Sequence, residues 1–356
     1  MSSHDSIKGR GTAYNPLIRF DRLTREAVVP DWPGDIDDPP PLPTELIWQD
    51  AKSAITRNNS PDIYFSQSIN PYHGCEHGCI YCYARPSHAY WGYSPGLDFE
   101  TKIVARRGLP ERLRVELARP GYQCEPICLG SNTDCYQPLE RKLGLTRSVI
   151  EVLLAHRHPL VIITKNALVE RDLDLLKPLA EQQLVQVYIS LCTLEADVAR
   201  VLEPRASAPH RRLQAVRNLS QAGIPVGVLC SPVIPALTDH QIETVVSAAA
   251  EAGAGMASYI ILRLPLEINE LFKDWLARHF PQRAEHVMSL IRQMRGGQEN
   301  VSRFGERMRG TGIFAQLLRN RFELACRRNS LGRRRLDLDV SNFHVPGHGT
   351  QLDLFE

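Results

Sequence analysis

CEHGCIYCYAR, from Cys75 to Arg85, places three cysteines in one short stretch, Cys75, Cys79 and Cys82, with Tyr81 just before the last. Three thiolates this close can converge on a single iron–sulfur cubane. Three ligands for four irons leave one iron uncovered, an open position for a substrate or cofactor. A structural zinc site usually needs four N or S ligands, commonly as two separated Cys-x-x-Cys halves. No second half follows here, and Cys124 with Cys128 would be a poor substitute. Merely buried thiols are not expected in a loop flanked by glycine and histidine, and His73 and His77 read as loop residues rather than ligands.

Outward from this stretch, the chain reads as a globular protein. Of its 356 residues, 43% are hydrophobic and 23% charged, which excludes wholesale disorder and allows one large core or two modest ones. Nine cysteines are an odd number, and three belong to a motif that must stay reduced. A disulfide framework is therefore not expected, and a reducing, cytoplasmic compartment is. The opening MSSHDSIKGRG lacks the apolar centre of a signal peptide. The least polar long window, near Val245 to Leu266, is broken by Glu251 and Arg263, so no membrane span is expected.

Residues 1–60 are polar and Pro-rich, notably DWPGDIDDPPPLPTEL, and read as an irregular extension with polyproline character. From there short apolar runs alternate with amphipathic stretches. Strands are predicted at Ser66–Tyr72, Pro126–Gly130, Leu160–Thr164, Val185–Leu191, Ile224–Cys230 and Ser258–Leu264. Helical patterns between them include PERLRVELARP, TRSVIEVLLAHR, RDLDLLKPLAEQ, HRRLQAVRNLSQAG and HQIETVVSAAAEAGAG. Six such alternations imply an α/β fold of parallel strands joined by right-handed crossovers, with the active site at the strand C-termini. The expected organisation is an extension (1–60), a core (61–265), a helical Arg-rich region (266–328) and a flexible tail (329–356).

Charge is concentrated in the third of these regions and just beyond it. From Arg292 to Arg335 there are twelve arginines, no lysine and three glutamates, although the whole chain has a net charge of only +2. Arginine alone suits bidentate phosphate recognition, so this region is a candidate DNA-facing surface, with a solvated helix face as the alternative.

The cysteine spacing resembles the signature of the radical S-adenosylmethionine (SAM) superfamily. That resemblance implies a partial TIM-like (β/α)6 barrel, a [4Fe-4S] cluster whose fourth iron is chelated by SAM, and reductive cleavage of SAM to a 5′-deoxyadenosyl radical by way of an electron donor. From Ser66 to Leu264 the chain further resembles the spore photoproduct lyase branch, labelled DNA-repair-photolyase-like. SNTDCYQPLE follows the second strand, ITKN the third and YISLCTLE the fourth; LEPRASAPHRR begins the next helical segment and IPVGVLCSPVIP covers the fifth strand. Carried onto these positions, the resemblance implies that Lys165 pairs with the SAM carboxylate and Thr133 holds the amine. Ser190 is suited to the carboxylate or ribose, and Tyr81 packs by the cluster and adenine. Arg205 has no arginine counterpart in the lyase and stays outside the site.

One departure bears on chemistry. Where the lyase has a hydrogen-donating cysteine, this chain has Ser131, with Cys135 four residues later. Either Cys135 acts from a shifted position or the reaction differs. Cys124, Cys128 and Cys192 read as buried apolar thiols; a second cluster from Cys124, Cys128 and Cys135 is the alternative. Finally, Gln351-Leu352-Asp353-Leu354-Phe355 resembles the pentapeptide by which bacterial repair proteins dock on the DNA sliding clamp, an extended segment filling pockets. The expected function is a radical SAM enzyme acting on a nucleic-acid base, in DNA repair or modification. The alternatives are a radical enzyme on a peptide or metabolite, and a non-catalytic iron–sulfur protein recruited to the clamp.

Overall fold

Six of the predicted stretches become six parallel strands laid side by side in chain order. The structure, a computed structural model, describes residues 6–20, 42–332 and 337–346. Its strands are β1 (Glu45–Asp50), β2 (Thr56–Arg57), β3 (Gln67–Ile69), β4 (Tyr72–His73), β5 (Lys102–Arg107), β6 (Ile127–Leu129), β7 (Leu160–Thr164), β8 (Val185–Ser190), β9 (Val226–Val233) and β10 (Met256–Ile261). The larger sheet has the order β10-β9-β8-β7-β6-β3-β2, with only the short β2 antiparallel to its neighbour. Helices at Leu145–Ala155, Leu173–Glu181, Pro209–Gln221 and Ile242–Glu251 follow β6, β7, β8 and β9. This is a mixed α/β fold around a parallel sheet.

Strands covered on both faces read as continuous apolar runs; every residue of β8 is buried, and β7 carries Leu160, Val161 and Ile162 into the core. All six predicted strands exist; Leu160–Thr164 has its predicted bounds and the other five have shifted ends. The first is the most changed, because Pro71 offers no N–H to a ladder. The chain leaves the large sheet at Ile69, and Tyr72–His73 pairs instead with β5 in a second sheet of order β1-β5-β4. Arg106 donates its backbone N–H to the Pro71 carbonyl across that junction (3.2 Å).

That second sheet corrects the reading of residues 1–60 as irregular. Glu45–Asp50 is a strand, parallel to Lys102–Arg107 along its whole length. The helical C-terminal region comprises Ile268–His279, Ala284–Gln293 and Gly312–Arg328. The last of these buries Ala315, Leu318, Phe322, Ala325 and Cys326 and packs on Ile242–Glu251. Among the described residues no helix is long and apolar enough to cross a membrane.

Candidate active site

The cysteine stretch leaves β4 directly, one short turn beyond the C-terminal end of β3. Gly78 takes φ +67°, a conformation that favours glycine, and a Cβ there would lie 2.8 Å from Glu100 Oε2. The turn is pinned from beneath by Arg85, which has no accessible surface. Its guanidinium donates to the carbonyls of Cys79 (2.9 Å), Gly78 (3.1 Å), Pro95 (3.1 Å) and Gly96 (3.0 Å), and pairs with buried Glu100 (2.6 Å). Glu100 also accepts the N–H groups of Gly11 (3.0 Å) and Thr12 (3.1 Å). An N-terminal segment thus straps the loop. A Cβ on Gly11 would overlap the Gly78 carbonyl oxygen, so the close approach requires glycine there.

Cys75 and Cys79 are buried, Cys82 is part-exposed, and all three are free thiols. Burial pushes the Cys79 thiol up to about 12 and Cys75 well above its ordinary value. Such thiols do not ionise unaided near neutral pH, whereas a thiol bound to metal is deprotonated outright. Among the described residues no group of three or more His, Cys, Asp or Glu side chains is placed to hold one ion. A cubane asks for something else: three thiolates, each on a different iron, with charge compensation nearby. The donor set here, three thiols on one strapped loop beside a lysine ammonium, fits that demand.

The lysine is Lys165, the first residue after β7. Burial alone would lower its basicity, but Cys79, Glu203, Asp134 and Cys82 outweigh burial and raise it. Its ammonium lies 5.9 Å from the centre of the Tyr81 ring, and among the described residues no carboxylate is within ion-pairing distance. Tyr81 is buried; its hydroxyl donates to Glu203, which also pairs with buried Arg212. Arg212 in turn donates to the Ser190 carbonyl at the end of β8 (2.9 Å).

Asp134 ties three elements together. Its carboxylate accepts the Thr164 hydroxyl (2.7 Å), the Lys165 backbone N–H (2.7 Å) and the Tyr136 backbone N–H (2.9 Å), and lies 3.3 Å from His77 Nδ1. Burial alone would raise this carboxyl, but His77, with Lys165 and Thr164 behind it, holds it well below the usual carboxylate range. His77 lies inside the cysteine motif, so Asp134 ties the cysteine loop to the end of β7. Sequence reading placed His77 in the loop and passed over Asp134, Glu203 and Arg212. The only signal was their presence in SNTDCYQPLE and LEPRASAPHRR.

The remaining predicted residues divide. Thr133 and Ser190 reach the same edge of the sheet, but their hydroxyls donate to the carbonyls of Tyr72 (2.6 Å) and Ser231 (3.3 Å); each oxygen keeps lone pairs for an ammonium or hydroxyl donor. Cys135 is not brought to the cysteine loop. It is fully buried in the main apolar core, with no accessible surface for a radical intermediate, whereas Ser131 remains part-exposed. Cys124 precedes β6 and is part-exposed, not buried as expected, whereas Cys128 lies within β6 and Cys135 follows it, both buried. Cys192, read as an inert thiol, is buried in the same apolar cluster as Cys79 and Tyr81. Arg205 pairs with Glu76 of the cluster loop (3.0 Å). Gln351–Phe355 lies outside the described residues.

The profile described as "Radical SAM superfamily" matches residues 69–249. An uncharacterised protein of Mycobacterium tuberculosis is 36% identical over 245 residues, covering 68% of this chain and 72% of that one. An uncharacterised protein of Methanocaldococcus jannaschii is 28% identical over 243 residues, covering 68% and 86%. Among solved structures, spore photoproduct lyase complexed with dinucleoside spore photoproduct superposes with a TM-score of 0.57 at 16% identity, covering 80% of this chain and 79% of that one.

Proposed function

This chain belongs to the radical SAM superfamily, and from that premise we propose that its substrate is a base in nucleic acid, acted on in DNA repair or modification. The superfamily's cofactors are a [4Fe-4S] cluster and SAM, which when bound supply one-electron chemistry that releases a 5′-deoxyadenosyl radical. The chain's own part is to hold and orient them and to exclude quenching water. Cys75, Cys79 and Cys82 hold the cluster. Lys165 takes the SAM carboxylate, because an unpaired ammonium beside the cysteine loop is the charge that group needs. Tyr81, fixed by Glu203, packs beside them, and the oxygens of Thr133 and Ser190 accept from the amine and ribose. In this reading the six parallel strands form the wall of a partial (β/α)6 barrel.

The observation that carries the reading is the gathering of Lys165, Asp134–His77 and Tyr81–Glu203 around one cysteine loop at the C-terminal edge of the sheet. The nucleic-acid substrate is supported by likeness of fold to a lyase solved with a dinucleoside photoproduct and by the arginines of Arg292–Arg335. Gln351–Phe355 extends the proposal to docking on a bacterial sliding clamp. Anaerobic incubation of reconstituted protein with SAM, dithionite and damaged or modified DNA tests it. The expected result is 5′-deoxyadenosine whose yield rises with DNA, lost when Cys75, Cys79 or Cys82 is changed to Ala. SAM cleavage that no DNA stimulates, with no change in DNA mass, would reject the nucleic-acid substrate.

A further inference from the structure

Arg263 lies two residues beyond β10, at the same edge of the sheet as Lys165 and Ser131. Its guanidinium carbon is 5.9 Å from the centre of the Tyr83 ring, and Tyr83 directly follows the ligand Cys82. The Tyr83 hydroxyl donates to the Ser131 carbonyl, which pins the ring across the mouth between the cysteine loop and the end of β6. Half of the Tyr83 surface is nevertheless exposed (50%).

What singles out Arg263 is a charge without a counter-charge. Among the described residues no carboxylate is within ion-pairing distance of it. Its Nε is buried with no hydrogen-bond partner, and Nη1 reaches only the Met308 sulfur at 3.7 Å. Its neighbours add to the positive field. Arg295 donates to the carbonyls of Leu262 (2.8 Å) and Glu306 (2.9 Å), and the Glu306 carboxylate offsets only part of the loss of basicity that burial and Arg263 impose on it. Arg307 is paired with Asp62 (2.6 Å). Burial lowers the basicity of Arg263, Arg307 lowers it further, and Tyr83 and Asp62 only partly restore it. An incompletely solvated cation among like charges is costly; an anion arriving at the mouth would relieve that cost. A guanidinium matches a phosphate bidentately, and an exposed aromatic ring stacks on an unpaired base.

We propose that Arg263 and Tyr83 form a nucleotide-recognition subsite at the mouth, the guanidinium taking a phosphodiester and the ring stacking on the adjoining base. This rests on the nucleic-acid reading above. The subsite holds the substrate backbone beside the cysteine loop and presents the neighbouring base to it.

The test measures anisotropy, under anaerobic conditions, of a short fluorescein-labelled oligothymidylate bound to reconstituted holoenzyme, and of the same oligomer with uncharged methylphosphonate linkages. Arg263→Ala should weaken the charged oligomer about ten- to a hundredfold and leave the neutral one unchanged. Arg263→Lys should recover part of the loss, since the charge returns without the fork. Tyr83→Ala should weaken both oligomers by roughly tenfold, and Tyr83→Phe should restore them. If wild type prefers the charged oligomer and Arg263→Ala keeps that preference, the subsite is overturned while the nucleic-acid substrate stands. Equal loss for both oligomers in Arg263→Ala would mean a general structural defect and also overturn it. If wild type binds neither, the nucleic-acid reading falls and takes the subsite with it.

Discussion

Lys165 is an ammonium set among thiols and carboxylates, raised in basicity by Cys79, Glu203, Asp134 and Cys82 against the pull of burial, yet in direct contact with none of their charges. Lys165→Ala should therefore weaken SAM binding about ten- to a hundredfold, the loss of one charge-assisted contact, and leave iron content unchanged; equilibrium dialysis with labelled SAM measures it. Cys135 invites the opposite expectation. Because its thiol is enclosed in apolar core, Cys135→Ala should leave 5′-deoxyadenosine yield and product distribution as in wild type and lower stability by roughly 1 kcal/mol. Aberrant or adducted products in that variant, detected by mass spectrometry, would return the thiol to the reaction. The three cysteines were legible in sequence because they fall within eight residues, from Cys75 to Cys82, the spacing that ligation of one cluster would require. Asp134 was not, since its partners Lys165 and His77 lie on other elements and only folding brings them together. The same holds for Glu203, which meets Tyr81 across most of the sheet's crossovers.

Elements position these residues through two devices, a strap and a sheet edge. The strap depends on the Arg85–Glu100 pair, both side chains without accessible surface. Removing one partner strands a buried charge, at a cost of about 3–5 kcal/mol. Glu100→Ala should therefore lower the melting temperature and reduce iron bound on reconstitution; an iron content equal to wild type would show that the strap does not support the loop. Next to β7, His158 is buried with its ring nitrogens on the Pro159 carbonyl (2.9 Å) and the Tyr122 hydroxyl (2.8 Å). Burial lowers it from 6.5 to about 4. A folded-state value below the unfolded one means that the stabilisation is complete above pH ~6.5 and is lost as pH falls through about 4, by on the order of 3 kcal/mol for this one group. Thermal melts should thus decline between those values, and His158→Asn should be less stable overall but flatter with pH. Strands such as Leu160–Thr164 were legible because burial on both faces leaves a nearly unbroken apolar run, whereas Gln67–Ile69 carries two polar residues in three. Glu45–Asp50 was not legible: its apolar residues are only Leu46, Ile47 and Trp48, flanked by Glu45, Gln49 and Asp50, and its register is set by pairing with Lys102–Arg107, which local pattern does not encode.

At the scale of the whole molecule, the arginine-rich stretch from Arg292 is partly neutralised by folding. Arg292 pairs with Glu285 and Glu299, Arg303 with Glu306, Arg307 with Asp62, Arg319 with Glu323, and Arg321 with Glu243. Counting charges along the chain reveals only part of this, because Asp62 and Glu243 come from distant segments. Arg327 and Arg328, in the last turn of Gly312–Arg328, are exposed and remain available for phosphate. Nonspecific DNA affinity should then fall with salt far less steeply than twelve contacts would require, each phosphate neutralised contributing roughly −0.9 to the log–log slope. Changing Arg327 and Arg328 together to Ala should make that slope shallower by about 1.8 if both meet phosphates. An unchanged slope would remove this helix from the DNA surface and leave the mouth around Arg263 as the place where nucleic acid is held. The proposed docking on a sliding clamp is separable from both, since it would rest on apolar anchors. It should be nearly insensitive to salt and vanish when Leu354 and Phe355 are both changed to Ala, with SAM cleavage unaffected. A doubly substituted chain that still binds the clamp as wild type does would show that the terminal pentapeptide is not its docking segment.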